Sequence, residues 1–357
     1  MTAPHLSRRA LLGASVGALA ADLARADLAQ ADDGLEDLRD GEPVALPAGR
    51  SLVELVAPAA SFVTLAIRGP RHALLGARVL GESRLARALD RGTALDEDGL
   101  LPRIFSGLTR EEEERISLLV DVTDPVTVTL VSAPTADDAP PRPHGPKEAP
   151  PPARPLVGMP PPESARAGYV VLGPARYAFA RIDVVKSLRL AFEKTRKRFG
   201  NDPVAVSDMS QWNGRRPKQD LGEVRHISHD GGCDVDLALP ASDFLPSDVR
   251  DHCKRVFLDP THAGCAPGTA KGVRFDVLAH LLGALVDEAD GRVVKIFVDD
   301  VYRREIVREA KLLHEKAWIA DGARGALSEE GVLVASPWHT DHVHVRFAGE
   351  RARSLLP

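Results

Sequence analysis

The chain has 357 residues, 44% of them hydrophobic and 27% charged, with a formal net charge of −5; this length accommodates two domains of ordinary size. The acidic balance provides no global basic field, which argues against nucleic acid as a partner, and aromatic residues at 4% are too sparse for a platform of stacked rings. No apolar run approaches the ~20 residues of a membrane span.

In chain order, residues 1–31 come first. "SRRALLGASVGALAA" sets Arg8 and Arg9 directly before a short apolar run, and "AQA" at 29–31 offers a small-x-small cleavage site, with "ARA" at 24–26 as a second. The pattern resembles a twin-arginine export signal and predicts a periplasmic protein; an amphipathic N-terminal helix is the plainer alternative. No cysteine lies near the cleavage region, so a lipoprotein anchor is not supported.

Residues 40–134 contain "SLVELVA", "SFVTLAIRG", "ISLLVDV" and "PVTVTLVSA". Alternation and β-branched residues predict a small β-rich domain of sandwich type. It has no chemical constellation, so its role is not legible. The proline-dense stretch 135–165 reads as an extended, semi-rigid linker, because proline lacks the N–H that helices and ladders need. Residues 166–357 then mix periods. Helices are predicted in "IDVVKSLRLAFEKTRKRF", "RFDVLAHLLGALVDE" and "YRREIVREAKLLHEKAW". Strands are predicted in "PVAVSDMS", "CDVDLAL", "RVVKIFVD", "GVLVAS" and "HVHVRF". Helices against a mainly antiparallel sheet make this an α+β domain.

The three cysteines are Cys233, Cys253 and Cys265. In an oxidising compartment any pairing is open, including Cys253 with Cys265, and the odd number leaves at least one thiol free.

Chemistry concentrates in two segments. "SPWHTDHVHVRF", 336–347, holds His339, His342 and His344 of only 12 histidines in the chain. "RHISHDGGCDVDLALP", 225–240, holds His226, His229, Asp234 and Asp236, with two glycines that let the chain turn into a strand. Side chains alternate along a strand, so Asp234 and Asp236 share one face, and His342 and His344 share another. Two such strands side by side bring imidazoles and carboxylates to one point. That point suits a catalytic zinc, which takes three N/O ligands and keeps a fourth position for water. The plainer alternative is a polar strand with surface histidines.

These motifs together resemble the penicillin-insensitive murein endopeptidases of the LAS metallopeptidase group. The shared pattern is His-x-x-His (His226, His229), Gly-x-Asp-x-Asp (Gly232 to Asp236) and His-x-x-His-x-His-Val-Arg (His339 to Arg346). "SDMSQWNGRRP" and "VVKIFVDDVYRREI" agree as well, so the resemblance covers most of 166–350. It implies a LAS/D,D-peptidase-like catalytic domain, a small antiparallel sheet flanked by helices, with Zn2+ on His229, Asp236 and His344. It further implies His342 as general acid/base, with His226 and His339 as supporting active-site residues and Asp208 and Ser210 as site-shaping ones. The implied substrate is the peptide cross-link of peptidoglycan, between D-alanine and the diamino acid. A D,D- or L,D-carboxypeptidase of the same fold and a non-catalytic murein-binding protein are the alternatives.

The chain departs from the family in having few cysteines, with Cys233 at a usually aliphatic position. Several side chains have two readings. Asp234 is catalytic or a structural hydrogen-bonding carboxylate. Arg346 binds a substrate carboxylate or is salt-bridged, and Arg215 and Arg216 meet the peptide stem or solvent. His252, His262, His280 and His314 read as structural or solvated, and Trp212, Trp318 and Trp338 as core or cleft wall.

Overall fold

The computed structural model describes residues 36–70, 73–89, 103–135, 154–217, 226–240 and 273–354, apart from isolated positions of one or two residues. The predicted export signal 1–31, Cys253, Cys265, His252, His262, Trp338 and residues 136–153 of the proline-dense stretch lie outside the described residues. The architecture is α+β.

The first half contains β1 (Glu36–Leu38), β2 (Pro43–Leu46), β3 (Gly49–Ala57), β4 (Ser61–Arg68), β5 (Leu74–Leu80), β6 (Arg103–Leu108), β7 (Glu114–Val122) and β8 (Val126–Pro134). They form two four-stranded sheets, β1-β3-β7-β5 and β2-β8-β4-β6. Val53, Leu55, Leu118 and Val120 of the first meet Val63, Leu65, Ile67, Val128 and Leu130 of the second in one apolar core. Alternating inward residues thus weld the sheets into a sandwich. β4 is unusual in being buried along nearly its whole length, which one packed face alone cannot explain.

The second half contains β9 (Arg154–Gly158), β10 (Tyr169–Val171), β11 (Phe179–Arg181), α1 (Ile182–Phe199), β12 (Val204–Val206), β13 (Asp234–Ala238), α2 (Phe275–Glu288), β14 (Val293–Val298), α3 (Asp300–Glu315), α4 (Asp321–Ala326), β15 (Leu333–Ala335), β16 (His342–Phe347) and β17 (Ala352–Ser354). The main sheet has the order β10-β12-β13-β16-β14-β15. Its four central strands run antiparallel, and the edge pairs β10–β12 and β14–β15 are parallel. Val235 and Leu237 of β13, Val343 and Val345 of β16 and Ile296 of β14 join the helices in a second core. α1 contributes Val184, Val185, Leu188 and Phe192 and ends at Gly200, whose φ of 61° is the left-handed conformation of a C-terminal cap. α3 begins at Asp299, whose carboxylate accepts from the Val301 N–H at 2.9 Å.

The linker differs from expectation at its C-terminal end. Residues 154–158 are not spacer but the middle strand of a small sheet, β11-β9-β17. Leu156, Val157 and Met159 are an apolar run inside the prolines and are buried, and the ladder with β11 starts at Leu156, beyond Pro155. Among the described residues, no helix is long and apolar enough to cross a membrane.

A buried ion cluster ties the second half together. The Arg181 guanidinium, 1% exposed, donates to the Ala348 carbonyl at 2.8 Å and to Asp183 at 3.2 Å, and Arg292 also donates to Asp183. Removing the carboxylate leaves a buried guanidinium without its counter-charge. Asp183→Asn is therefore expected to cost about 3–5 kcal/mol, read from urea unfolding.

His280 of α2 is buried and its Nδ1 lies 3.0 Å from Thr195 Oγ1. Burial, reinforced by the charges of Arg198 and Lys194, pushes its pKa down to about 4. The folded protein therefore resists a proton that the unfolded chain accepts. The contribution is fully present above about pH 6.5 and is lost as pH falls towards 4. Between pH 7 and pH 4.5 the wild type should lose roughly 2–3 kcal/mol more stability than His280→Asn, by urea unfolding at both pH values.

Candidate metal centre

The centre lies on the polar face of β13 and β16. Their antiparallel register sets Asp236 opposite His344, Asp234 opposite Arg346 and Ala238 opposite His342. Because side chains alternate, the apolar residues between them enter the core beneath, and the acidic and imidazole groups emerge together on the other side.

His229 comes from the turn before β13. Its backbone is left-handed, φ 63°, a costly state for a non-glycine residue. Gly231 and Gly232 follow at φ 63° and 71°. At Gly232 a Cβ would stand 2.2 Å from Leu156 Cδ2 and 2.8 Å from the Arg181 nitrogen, so the turn packs onto β9 and β11 only with glycine. This turn drives His229 to complete burial.

Three atoms converge. His229 Nε2 is 3.2 Å from Asp236 Oδ1, His344 Nδ1 is 3.1 Å from the same oxygen, and the two nitrogens are 3.1 Å apart. Tetrahedral ligands at 2.0–2.1 Å from a zinc ion are separated by ~3.3 Å, so the triangle has the right edge. The outward nitrogens are already used. His229 Nδ1 lies 3.2 Å from the Met209 carbonyl, which can only accept, so Nδ1 carries the hydrogen and Nε2 presents a lone pair. His344 Nε2 lies 2.7 Å from Asp234 Oδ1, which in the neutral imidazole leaves Nδ1 as the lone pair. With both imidazoles neutral, two lone pairs and the buried Asp236 Oδ1 face one another, an arrangement that could hold a cation between them.

The electrostatics agree. Burial alone would lower the His344 pKa, but hydrogen bonds and charge from Asp234 and Asp236 override it and raise it to about 9. Burial likewise opposes ionisation of Asp236, yet the charges of His229 and His342 hold it well below the usual carboxylate range. Asp234 is held down, against its own burial, by hydrogen bonds from His344 and Arg346. Without an ion, the positive charge beside the two carboxylates is a proton on His344, which a metal ion bound at Nδ1 would have to displace.

The other candidates surround this triangle. His226 donates from Nε2 to the buried Asp208 at 2.7 Å and turns Nδ1 towards Asp236 Oδ2 at 3.9 Å. His226, His229 and Asp236 form a second, looser trio, with ligand atoms within 4.8 Å of one another, that could also hold a metal ion. His344 completes the tighter set, at 3.1 Å from both partners. His342 Nε2 is 3.7 Å from Asp236 Oδ1. His226 and His342 are 19% and 25% exposed at the side chain, against 0% for His229 and 6% for His344. The first two thus face solvent. His339 is bonded to Ser336 Oγ at 2.7 Å and stacked on Phe297, 5.6 Å between centroids.

The remaining residues sort cleanly. Asp234 is a hydrogen-bonding carboxylate rather than a member of the triangle, and Arg346 donates to it at 2.7 Å. Arg216 pairs with Asp230 at 3.4 Å, and Arg215 is exposed. Ser210 donates to the Phe179 carbonyl, which fixes the loop beside Asp208. Cys233 is buried, and its Sγ lies 3.6 Å from the Gly231 carbonyl. Sequence reasoning missed the Met209 carbonyl and the Phe297 ring. Backbone acceptors leave no residue-type signal, whereas Phe297 sits opposite His344 on β14 and strand alternation could have found it.

No protein-family model matches the chain, and no curated protein matches it. Among solved structures, the crystal structure of Aeromonas hydrophila PliG, a periplasmic lysozyme inhibitor of g-type lysozyme, is similar to 28% of this chain and 97% of its own. The identity is 15% and the TM-score 0.18. A likeness at that level carries no argument about fold.

Titration with Zn2+ against a chromophoric chelator should reveal one tight ion per chain. Asp234→Ala, which removes the acceptor of His344 Nε2, should weaken it about 10- to 100-fold. His344→Ala should abolish tight binding.

Proposed function

We propose that this chain is an exported, zinc-dependent murein endopeptidase that hydrolyses the D-alanyl to diamino acid cross-links of peptidoglycan. The observation that carries the reading is the convergence of His229 Nε2, Asp236 Oδ1 and His344 Nδ1, each histidine having its second nitrogen already engaged. The motif resemblance supplies the substrate class and the LAS-type fold. Imidazole and carboxylate ligands without thiolate suit zinc in an open, catalytic site.

Held by these three residues, a zinc ion would contribute Lewis acidity towards a carbonyl oxygen and an acidified water. His342, on the solvent side and 3.7 Å from Asp236, can take a proton from the attacking water and return it to the leaving amine. Asp208 holds the His226 Nε2–H at 2.7 Å, leaving Nδ1 as an acceptor that can orient a substrate N–H. Ser336 and Phe297 fix His339 as a wall of the cleft. No serine is acylated in this scheme, so a β-lactam finds no nucleophile to trap. The export-like segment 1–31 fits a substrate that lies outside the cytoplasm.

The test is digestion of purified, cross-linked murein by residues 32–357 and by His344→Ala, with and without a chelator, with products identified by mass. Conversion of cross-linked dimers to monomers, lost in the variant and on chelation, is expected. Intact dimers with shortened stems would replace this reading with a carboxypeptidase. Unchanged murein with fully metal-loaded protein would replace it with a binding role.

A further inference from the structure

We propose that the β-sandwich is a brace for the metal centre, and that Arg68, at the end of β4, is the positioning residue through which it acts. The burial of β4 on both sides is the first observation. Val63, Leu65 and Ile67 point into the sandwich core. Phe62, on the opposite face, joins Ala133 of β8 in the core of the metal-site domain. Ala66, Val131 and Phe179 form a further cluster against which Trp212 packs. The outer face of one sandwich sheet is therefore not free to bind a wall polymer or a partner; it is covered by the domain that carries the site.

The contact is close as well as apolar. Ser106 of β6 lies against the backbone of Gly158 in β9, where an added Cβ would stand 1.7 Å from the serine oxygen. Only glycine lets the two halves approach so far.

At one edge this interface reaches the site itself. The Arg68 guanidinium lies over the Trp212 ring, 4.3 Å from its centroid, and burial lowers its pKa, which marks a partly desolvated cation of the kind that binds a ring face strongly. Trp212 belongs to the loop that orients two site histidines. Within that loop Asp208 holds His226, and the Met209 carbonyl holds His229. The loop is also clamped to the centre at both ends. The Asp236 N–H donates to the Asp208 carbonyl at 3.0 Å, and the Gly231 N–H donates to the Gly214 carbonyl at 2.8 Å. A shift of Trp212 is thereby passed to His226, His229 and the turn that delivers His229. Arg68 pins that ring from the sandwich side.

The activity readout of the test rests on the endopeptidase reading, but the metal readout does not. Zn2+ affinity and the pH profile of murein cleavage are measured on residues 32–357 for the wild type, Arg68→Ala, Arg68→Lys and Arg189→Ala. Arg189, on α1, stands 6.0 Å over the Phe62 ring and crosses the same interface away from the loop. Arg68→Ala should weaken Zn2+ binding about tenfold, as loss of support beyond the ligands does, and displace the pH profile. Arg68→Lys, which keeps a cation over the ring, should stay near the wild type, and Arg189→Ala should leave both readouts unchanged. Wild-type Zn2+ affinity in Arg68→Ala would overturn the proposal, as would equal weakening in Arg189→Ala. Murein left intact by every form, with the affinity pattern as expected, would sink the endopeptidase reading and leave the brace standing.

Discussion

The structure depends on the pairing of β13 with β16. Its register places Asp236 directly across from His344, and every other feature of the centre is arranged around that pair. A one-residue slip would send the acidic and imidazole groups into the core and the valines into the cleft. Val235, Leu237, Val343 and Val345, all fully buried, make that slip prohibitive, because the helices α1 and α2 cover the apolar face. The site is thus held in register by the hydrophobic packing on the reverse side of the same two strands.

Onto this frame the chain adds elements that are individually unfavourable. His229 is held in a left-handed backbone, and Asp234, Asp236 and His344 are all nearly buried. Burying charge is expensive unless it is paired, and here nearly every group has a partner. Asp234 serves His344 and Arg346, Asp208 serves His226, and the Met209 carbonyl serves His229. Asp236 Oδ1 and the two facing nitrogens are grouped at one point, where a positive charge, proton or metal ion, balances the carboxylate. Strain and buried charge brought together in this way are features by which candidate functional sites are recognised.

Much of this was legible in particular residues. The alternation in "DVDLA" and "HVHVRF" announced which side chains share a face, and the helical spacing of Val185, Leu188 and Phe192 with Gly200 as terminator matches α1. The sandwich followed from β-branched alternation. At the end of the linker, proline density masks the short apolar run of β9. The two-sided burial of β4 was equally hidden: in "SFVTLAIR", Thr64 lies between Phe62 and Ala66 on the face away from the sandwich core and looks solvated, yet it is buried.

By itself the sequence determined the residue types of the candidate site, the shared faces, the turn glycines and the location of most elements, because these rest on local geometry and side-chain type. The tertiary structure alone decided that β13 pairs with β16, joining Asp234 and His344 across 110 residues of chain. It also decided the distances within the triangle of His229, Asp236 and His344, and that the sandwich docks on the loop of Trp212. Those outcomes depend on long-range contacts whose free energy comes from burying both faces of particular strands. No local spacing specifies which distant surface will cover them.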